Sequence, residues 1–413
     1  MKKGSLINWG LAVVSTLVSY VVLETLAWRP HLQLVPLSLH QQLGFLDVLA
    51  QPSKAATLPK PGYVAIIGDS YAEGLGDWMM RVVYDGNPDF HAGHLLHRLS
   101  GRDVLSFGFR GGYPSFTYGF DTTSAMGGIN RYAGLTLPPA GDVVAYFYEG
   151  NDVNDQMTAI RFWMPTWADH PEDPGQARRY IDSLAADGAG RARRRWHPLA
   201  NAHAADTAGH LVKLAYKNTV RQGVGVFAAE DPQYRRAAAY VEDWSRYTSS
   251  RYAVNAGGRT LPYPSPTVEP FVFHSPHEIE LAGLYFEESL RHLKAVFPGA
   301  RLWVAYLPSP VNVYDLAQAD IPLQDRIRNA TGETPGPVTL VSKESLARVS
   351  DQTSAVIRRR TEAAGARFID TRPGLRAAAW QYGYLHGPND PGHLNRAGYT
   401  ALADILHRAL AAP

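Results

Sequence analysis

The chain of 413 residues contains no cysteine. Disulfides, thiolate metal sites and a cysteine nucleophile are therefore excluded, and the absence fits either side of a membrane. Net charge is scarce too: 40 Lys and Arg against 38 Asp and Glu leave +2, so nothing points to nucleic acid as a partner. The basic cluster of Arg191, Arg193, Arg194 and Arg195 is local and reads as a solvated face, with an acidic polymer as the sharper alternative. Metal signatures are incomplete. His91, His94 and His97 recur at a spacing of three on a mostly polar stretch, but no carboxylate pattern completes a site. Asp152-Val153-Asn154-Asp155 lacks the glycine and the closing glutamate of a calcium loop. No metal or cofactor is expected, and there is no internal repeat.

What is present is an ordinary globular composition, 45% hydrophobic and 19% charged, in a length that holds one large domain or two ordinary ones. Lys2 and Lys3 precede a charge-free stretch from Leu6 to Leu23, and Glu24 follows. That length crosses a bilayer, and the lysines place the N-terminus in the cytoplasm. The run is apolar on every face and no convincing small-x-small cleavage site comes after it, so residues 1–28 read as an uncleaved single-pass anchor with the body outside the cytoplasm, periplasmic or its equivalent, a cleaved signal peptide being the competing reading. Residues 29–62 carry Pro30, Pro36, Pro52, Pro59 and Pro61 around a short amphipathic piece from Leu39 to Leu49, which reads as a spacer. The main domain is 63–413.

Within it, short β-branched runs alternate with helical patterns. Strands are expected over Tyr63–Ile67, Asp103–Phe107, Val143–Tyr148, Leu302–Leu307 and Arg367–Ile369. Helices are expected before Gly101, over Glu278–Phe297, over Leu346 to Gly365, and over Arg396–Leu410. This order argues for an α/β fold with a parallel sheet covered on both faces. The stretch 154–274 has poor periodicity apart from a helical patch near Leu211–Val220, and reads as a large insertion, a lid or a partner surface. Its Trp163, Trp167, Trp196 and Trp244 read as packing, with a sugar-stacking platform as the alternative.

Chemistry-bearing residues cluster at the strand ends, where open α/β sheets bind ligands. The first strand stops at Gly68-Asp69-Ser70, with Gly74 four residues on. Ser70 is placed to be a nucleophile if a base and oxyanion donors exist. Asp390 stands three residues before His393, with Pro391 and Gly392 bending the chain between them. The carboxylate can then fix the imidazole tautomer and stabilise the imidazolium that forms when the other nitrogen takes the serine proton. Gly111 after the second strand offers an N–H that a ligand can approach, and Asn151 after the third offers a side-chain amide. Singly, each is also an ordinary turn or cap. Their joint occurrence in chain order is what points to acyl chemistry.

In these blocks the chain resembles the SGNH hydrolases, a subgroup of the GDSL esterases and lipases. Gly68-Asp69-Ser70 with Gly74 matches the first block, Gly111 the second, Asn151 with Asp152 the third, and Asp390-x-x-His393 the last. Leu394-Asn395 and Gly398 resemble the residues that the family usually carries after that histidine. The likeness covers Tyr63 to about Tyr148 and Glu278 to Leu410, and leaves out the anchor, the spacer and the insertion. Two departures stand out. Glu149 sits two before Asn151, where glycine is usual, and Ser106 replaces an asparagine many relatives carry, so Gly111 and Gly112 both stay open as donor.

The resemblance implies a three-layer sandwich around a five-stranded parallel sheet (SGNH or flavodoxin-like), a Ser70–His393–Asp390 triad, and an oxyanion hole from the N–H groups of Ser70 and Gly111 and the amide of Asn151. With the anchor, it implies an esterase or O-acyltransferase acting on O-acyl, chiefly O-acetyl, esters of a cell-envelope or exported polysaccharide. Its partners would be the acylated carbohydrate or another ester, the membrane, and a membrane-bound acyl-transfer protein. No long apolar insertion is present to cover a lipid acyl chain, which argues against a lipase. The rival reading is a catalytically inactive glycan-binding or scaffold component of a polysaccharide export or modification complex.

Overall fold

Val64, Ala65, Ile66 and Ile67 succeed one another without a polar break, which suits a short strand covered on both faces. In the computed structural model, β1 (Tyr63–Gly68) is buried at every position. It is flanked by β2 (Val104–Gly108) and β3 (Ala140–Tyr148), followed outward by β4 (Arg301–Leu307) and β5 (Arg367–Asp370). All neighbours are parallel, in the spatial order β5-β4-β3-β1-β2. The structure describes residues 3–28, 31–35, 57–77, 92–132, 134–164, 171–195, 208–209, 212–213, 215–216, 240–264, 267–268, 274–329 and 332–412.

The helices used below are α1 (Lys3–Val22), α2 (Ser70–Glu73), α3 (Ala92–Ser100), α4 (Asp152–Thr158), α5 (Pro174–Arg195), α6 (Pro276–Val296), α7 (Lys343–Ala363), α8 (Arg372–Tyr382) and α9 (Arg396–Ala411). Alternation along β1 divides its side chains between two cores. Tyr63, Ala65 and Ile67 join Ile181 and Leu184 of α5, Tyr285 and Leu290 of α6, and Ile357 of α7. Val64 and Ile66 join Leu96 of α3, Leu375 of α8, and Leu402 and Leu406 of α9. Each large side chain fully buried this way contributes about 1.5–3 kcal/mol, which is why the most apolar run lies centrally. Local signals set the ends: Ser275 and Glu278 form a capping box ahead of α6, with Pro276 in its first turn. Gly101 (φ 70°) and Gly365 (φ 66°) come after α3 and α7.

The strands lie within a few residues of their expected positions. The insertion differs more from its expectation. α5 runs for 22 residues inside it, where only a patch near Leu211–Val220 looked helical; most of that patch lies outside the described residues. The inward face of α5 reads Ala177, Tyr180, Ile181, Leu184, Gly188 and Ala192. The spacing is helical, but half of the positions are Ala or Gly, so the hydrophobic signal is faint. Gly188 is needed there, since a Cβ would lie 2.3 Å from the Phe120 carbonyl oxygen. An antiparallel hairpin, Asp320–Asn329 with Gly332–Ser342, was also not expected.

Among the described residues one helix, 8–26, is long and apolar enough to cross a membrane. Leu32, soon after it, is fully buried in the same core as Tyr63, and Trp28, Val35 and Leu58 pack against that core. The amphipathic piece Leu39–Leu49 lies outside the described residues.

Candidate active site

The strand order makes the chain step one way from β1 to β2 and the other way to β3. Such a reversal opens a crevice beyond the carboxyl ends of the two central strands. Ser70 comes after β1 and Asn151 after β3, so both stand at that crevice. The turn that presents Ser70 is held from several sides. Asp69 caps α2 by accepting from the Tyr71 N–H at 3.0 Å, and Gly74 ends the helix at φ 84°. Ser106, in place of the expected asparagine, donates its hydroxyl to the Ala72 carbonyl. Gly108 packs flat on the same turn: a Cβ there would lie 2.0 Å from the Glu73 nitrogen.

The loop between α8 and α9 brings His393, the candidate base, to Ser70. Ser70 Oγ donates to His393 Nε2 at 2.8 Å. His393 Nδ1 lies 2.8 and 2.9 Å from the two oxygens of Asp390. The carboxylate therefore holds the proton on Nδ1 and leaves Nε2 as the acceptor for the serine proton. The loop has tyrosine supports beneath it: Tyr71 donates to the Gly392 carbonyl at 2.6 Å and Tyr148 at 3.3 Å. The Tyr71 ring lies 5.2 Å from the imidazole. Nearby His386 accepts from Tyr314 Oη at Nδ1, and burial, with His393 beside it, pushes it down to about 3. It stays neutral.

The oxyanion candidates are sorted by what their N–H groups already do. Gly112 donates to Phe109 O at 3.2 Å, and a Cβ on it would lie 2.1 Å from Thr117 Oγ1. Gly111, at φ 74°, is exposed, and its N–H makes no hydrogen bond among the described residues. The same holds for the N–H of Ser70, a residue only 6% exposed. Asn151 Nδ2 donates to Asp69 Oδ2 at 3.1 Å, which leaves its second N–H for a ligand. Backbone donors of buried residues are nearly always paired. An N–H left unpaired among the described residues on buried Ser70, with the exposed Gly111 N–H on the turn after β2, is what an incoming oxyanion would need.

Glu149 explains its own departure from glycine. It is fully buried and accepts from Tyr306 Oη and Ser350 Oγ at 2.6 Å, from Ser309 Oγ at 3.0 Å, and from Asn312. A carboxylate with that many donors ties the end of β3 to β4, to the loop after it and to α7, and so fixes the start of the Asn151 turn. Beneath the site lie further buried acids. Burial raises the Asp69 carboxyl against the opposing Tyr71 and Asn151 N–H groups. Burial, with Asp69 and Asp155 nearby, raises Asp152 well above the usual range; its Oδ2 accepts from the Tyr148 N–H at 2.7 Å.

Ser70, His393, Asp390 and Asn151 are thus linked, and Gly111 belongs to the turn after β2. Other candidates have different occupations. His97 donates to Arg102 O at 2.6 Å and His94 is buried on α3. Arg191 faces Asp121 at 3.5 Å. Trp244 stacks on Tyr384 at 3.6 Å. His91, Trp167 and Trp196 lie outside the described residues, as does the side chain of Trp163. Sequence reasoning missed Tyr71, Tyr148 and the fully buried Asp77, which accepts from the Asn389 backbone at 2.7 Å beside Asp390. Asn389 next to Asp390 was visible as a polar pair, but its partner Asp77 lies more than three hundred residues away in the chain. No protein-family model matches this sequence, and no curated protein matches it.

Proposed function

We propose that this chain is a membrane-anchored serine esterase or O-acyltransferase of the SGNH type, with the sheet and its two cores forming a three-layer sandwich. The observation that carries the reading is the continuous relay from Ser70 through His393 to Asp390 at 2.8 Å per step, set beside three donors that each keep an N–H unpaired among the described residues. Ser70 Oγ attacks the ester carbonyl while His393 Nε2 takes its proton. The N–H groups of Ser70 and Gly111 and the Asn151 amide stabilise the oxyanion. The tetrahedral species collapses, the ester C–O bond breaks, and His393 returns the proton to the departing alcohol. Water or a second hydroxyl then attacks the acyl-Ser70 ester by the same steps in reverse, which separates hydrolase from transferase only by the acceptor.

The apolar helix at 8–26 and the paired lysines before it support a single-pass anchor with a cytoplasmic N-terminus and a periplasmic or otherwise extracytoplasmic body. In that setting the substrate is an O-acylated carbohydrate of the envelope, acetyl being the group chosen. The test uses the full chain in detergent, exposed briefly to p-nitrophenyl acetate and read by intact mass. An acetyl adduct on the native protein that is absent from Ser70→Ala is expected, and sugar acceptors then divide transferase from hydrolase. Absence of both adduct and p-nitrophenol release from folded protein would overturn the reading.

A further inference from the structure

The insertion returns to the triad through Tyr240–Tyr247, and four side chains of that segment meet the loop that carries Asp390 and His393. Tyr240 donates to Asp77, the carboxylate that also holds Asn389. Glu242 Oε2 accepts from Asn395 Nδ2 at 2.8 Å and from Trp244 Nε1 at 3.4 Å. Trp244 lies flat on Tyr384, 9° from parallel. Tyr247 donates to the Pro388 carbonyl at 2.7 Å.

Asn395 is where these contacts matter. It stands two residues after His393 and caps α9, its Oδ1 accepting from the Gly398 N–H at 3.0 Å. Its Nδ2 lies within 3.0 Å of Tyr384 O and 3.3 Å of His386 O, so that it closes the base of the loop. The loop itself holds Gly387, Pro388, Pro391 and Gly392 and little regular structure beyond a single bridge between His386 and Leu394. A segment of that kind keeps a 2.8 Å serine–imidazole contact only if its ends are fixed from outside.

We infer that Glu242 is a positioning residue for the acid–base loop: by holding the Asn395 amide it sets the height and orientation of His393 against Ser70. It touches neither substrate nor reacting atoms, and the inference rests on the proposed active site. It gives the insertion a task in catalysis. The two N–H donors favour the ionised form of Glu242, while burial, with Asp77 nearby, raises the carboxyl to about 7. Assays at about pH 8, above that value, therefore read the carboxylate.

The test measures p-nitrophenyl acetate turnover, and the rate at which a fluorophosphonate labels Ser70, on the full chain in detergent at that pH. Glu242→Ala is expected to lower kcat and the labelling rate about 10–100-fold with KM within about twofold, the penalty of misplacing a reacting group by up to ~1 Å. Glu242→Gln, whose amide oxygen still accepts from Asn395, is expected to stay within about threefold of the native rates. Tyr247→Phe, which deletes a single hydroxyl from the same clamp, is expected to lower kcat about threefold to tenfold, and it reads the clamp even if Glu242→Ala does not fold. Native rates in folded Glu242→Ala, or in Tyr247→Phe, would overturn the inference and leave the active site standing. A Glu242→Gln protein as slow as Glu242→Ala would overturn positioning in favour of a charge effect. No labelling of the native chain would overturn both readings.

Discussion

Replacing Asn151 with alanine tests the proposed oxyanion hole at its one side-chain member. The amide has two N–H groups; one goes to Asp69 Oδ2 at 3.1 Å and the other has no partner among the described residues, which suits it to the proposed oxyanion. Losing a preorganised donor of this kind costs about 2.7–4 kcal/mol of transition-state stabilisation, a ~10²–10³-fold fall in kcat. Because the contact strengthens only as charge develops, kcat and kcat/KM fall together and KM stays put. The same substitution removes the one hydrogen bond to Asp69 Oδ2 among the described residues. Leaving a buried acceptor unpaired costs roughly 1–3 kcal/mol. Asp69 already has a raised pKa, so on losing this donor it can take up a proton, and the low end applies. The expected protein is therefore folded, melts a few degrees lower, and turns over p-nitrophenyl acetate hundreds of times more slowly. Asn151→Asp is expected to be as slow or slower, since it sets a second acid against Asp69 and offers no donor at neutral pH. Unchanged turnover in folded Asn151→Ala would refute the role given to the amide.

Gly108→Ala places a methyl 2.0 Å from the Glu73 nitrogen and 2.4 Å from the Ala72 carbonyl carbon. These are backbone atoms that cannot rotate away, so a loss of about 1–3 kcal/mol from overpacking is expected, with slower fluorophosphonate labelling of Ser70; a native melting temperature and labelling rate would contradict the packing argument. For His386, folding lowers the pKa from 6.5 to about 3. Its stabilising contribution is complete above 6.5 and is lost as pH falls toward the folded value. Relative to His386→Gln, the native chain should thus lose up to about 1.4 kcal/mol per pH unit below that upper value in denaturant titrations. Glu242 runs the other way, its pKa rising from 4.5 to about 7 on folding. Relative to Glu242→Gln, native stability should fall as pH rises through that window and then level off. A flat difference in either pair would refute the assigned shift.

The five strands and the turn at Gly68-Asp69-Ser70 were legible because their causes are local. A β-branched run ending at Gly-Asp-Ser dictates a strand and a turn whatever surrounds it, and Asp390-x-x-His393 spans a bend short enough to judge from sequence. What only tertiary structure decided depends on partners far apart in the chain. Gly111 and Gly112 are equivalent as letters; they separate once the Gly112 N–H is seen on Phe109 and its Cα against Thr117. Glu149 stood out in the sequence only as a departure from the usual glycine until Tyr306, Ser309, Asn312 and Ser350 closed around its carboxylate. α5 was faint because Ala and Gly serve its inward face, and their suitability depends on how closely the Phe120 backbone approaches. The contacts of Glu242 and Asp77 with the loop that carries Asp390 and His393 show no periodicity at all. Local propensity and short spacing write strands, turns and a neighbouring carboxylate–imidazole pair into the sequence, whereas the pairing of a buried donor with its acceptor is settled only when the chain has folded back on itself.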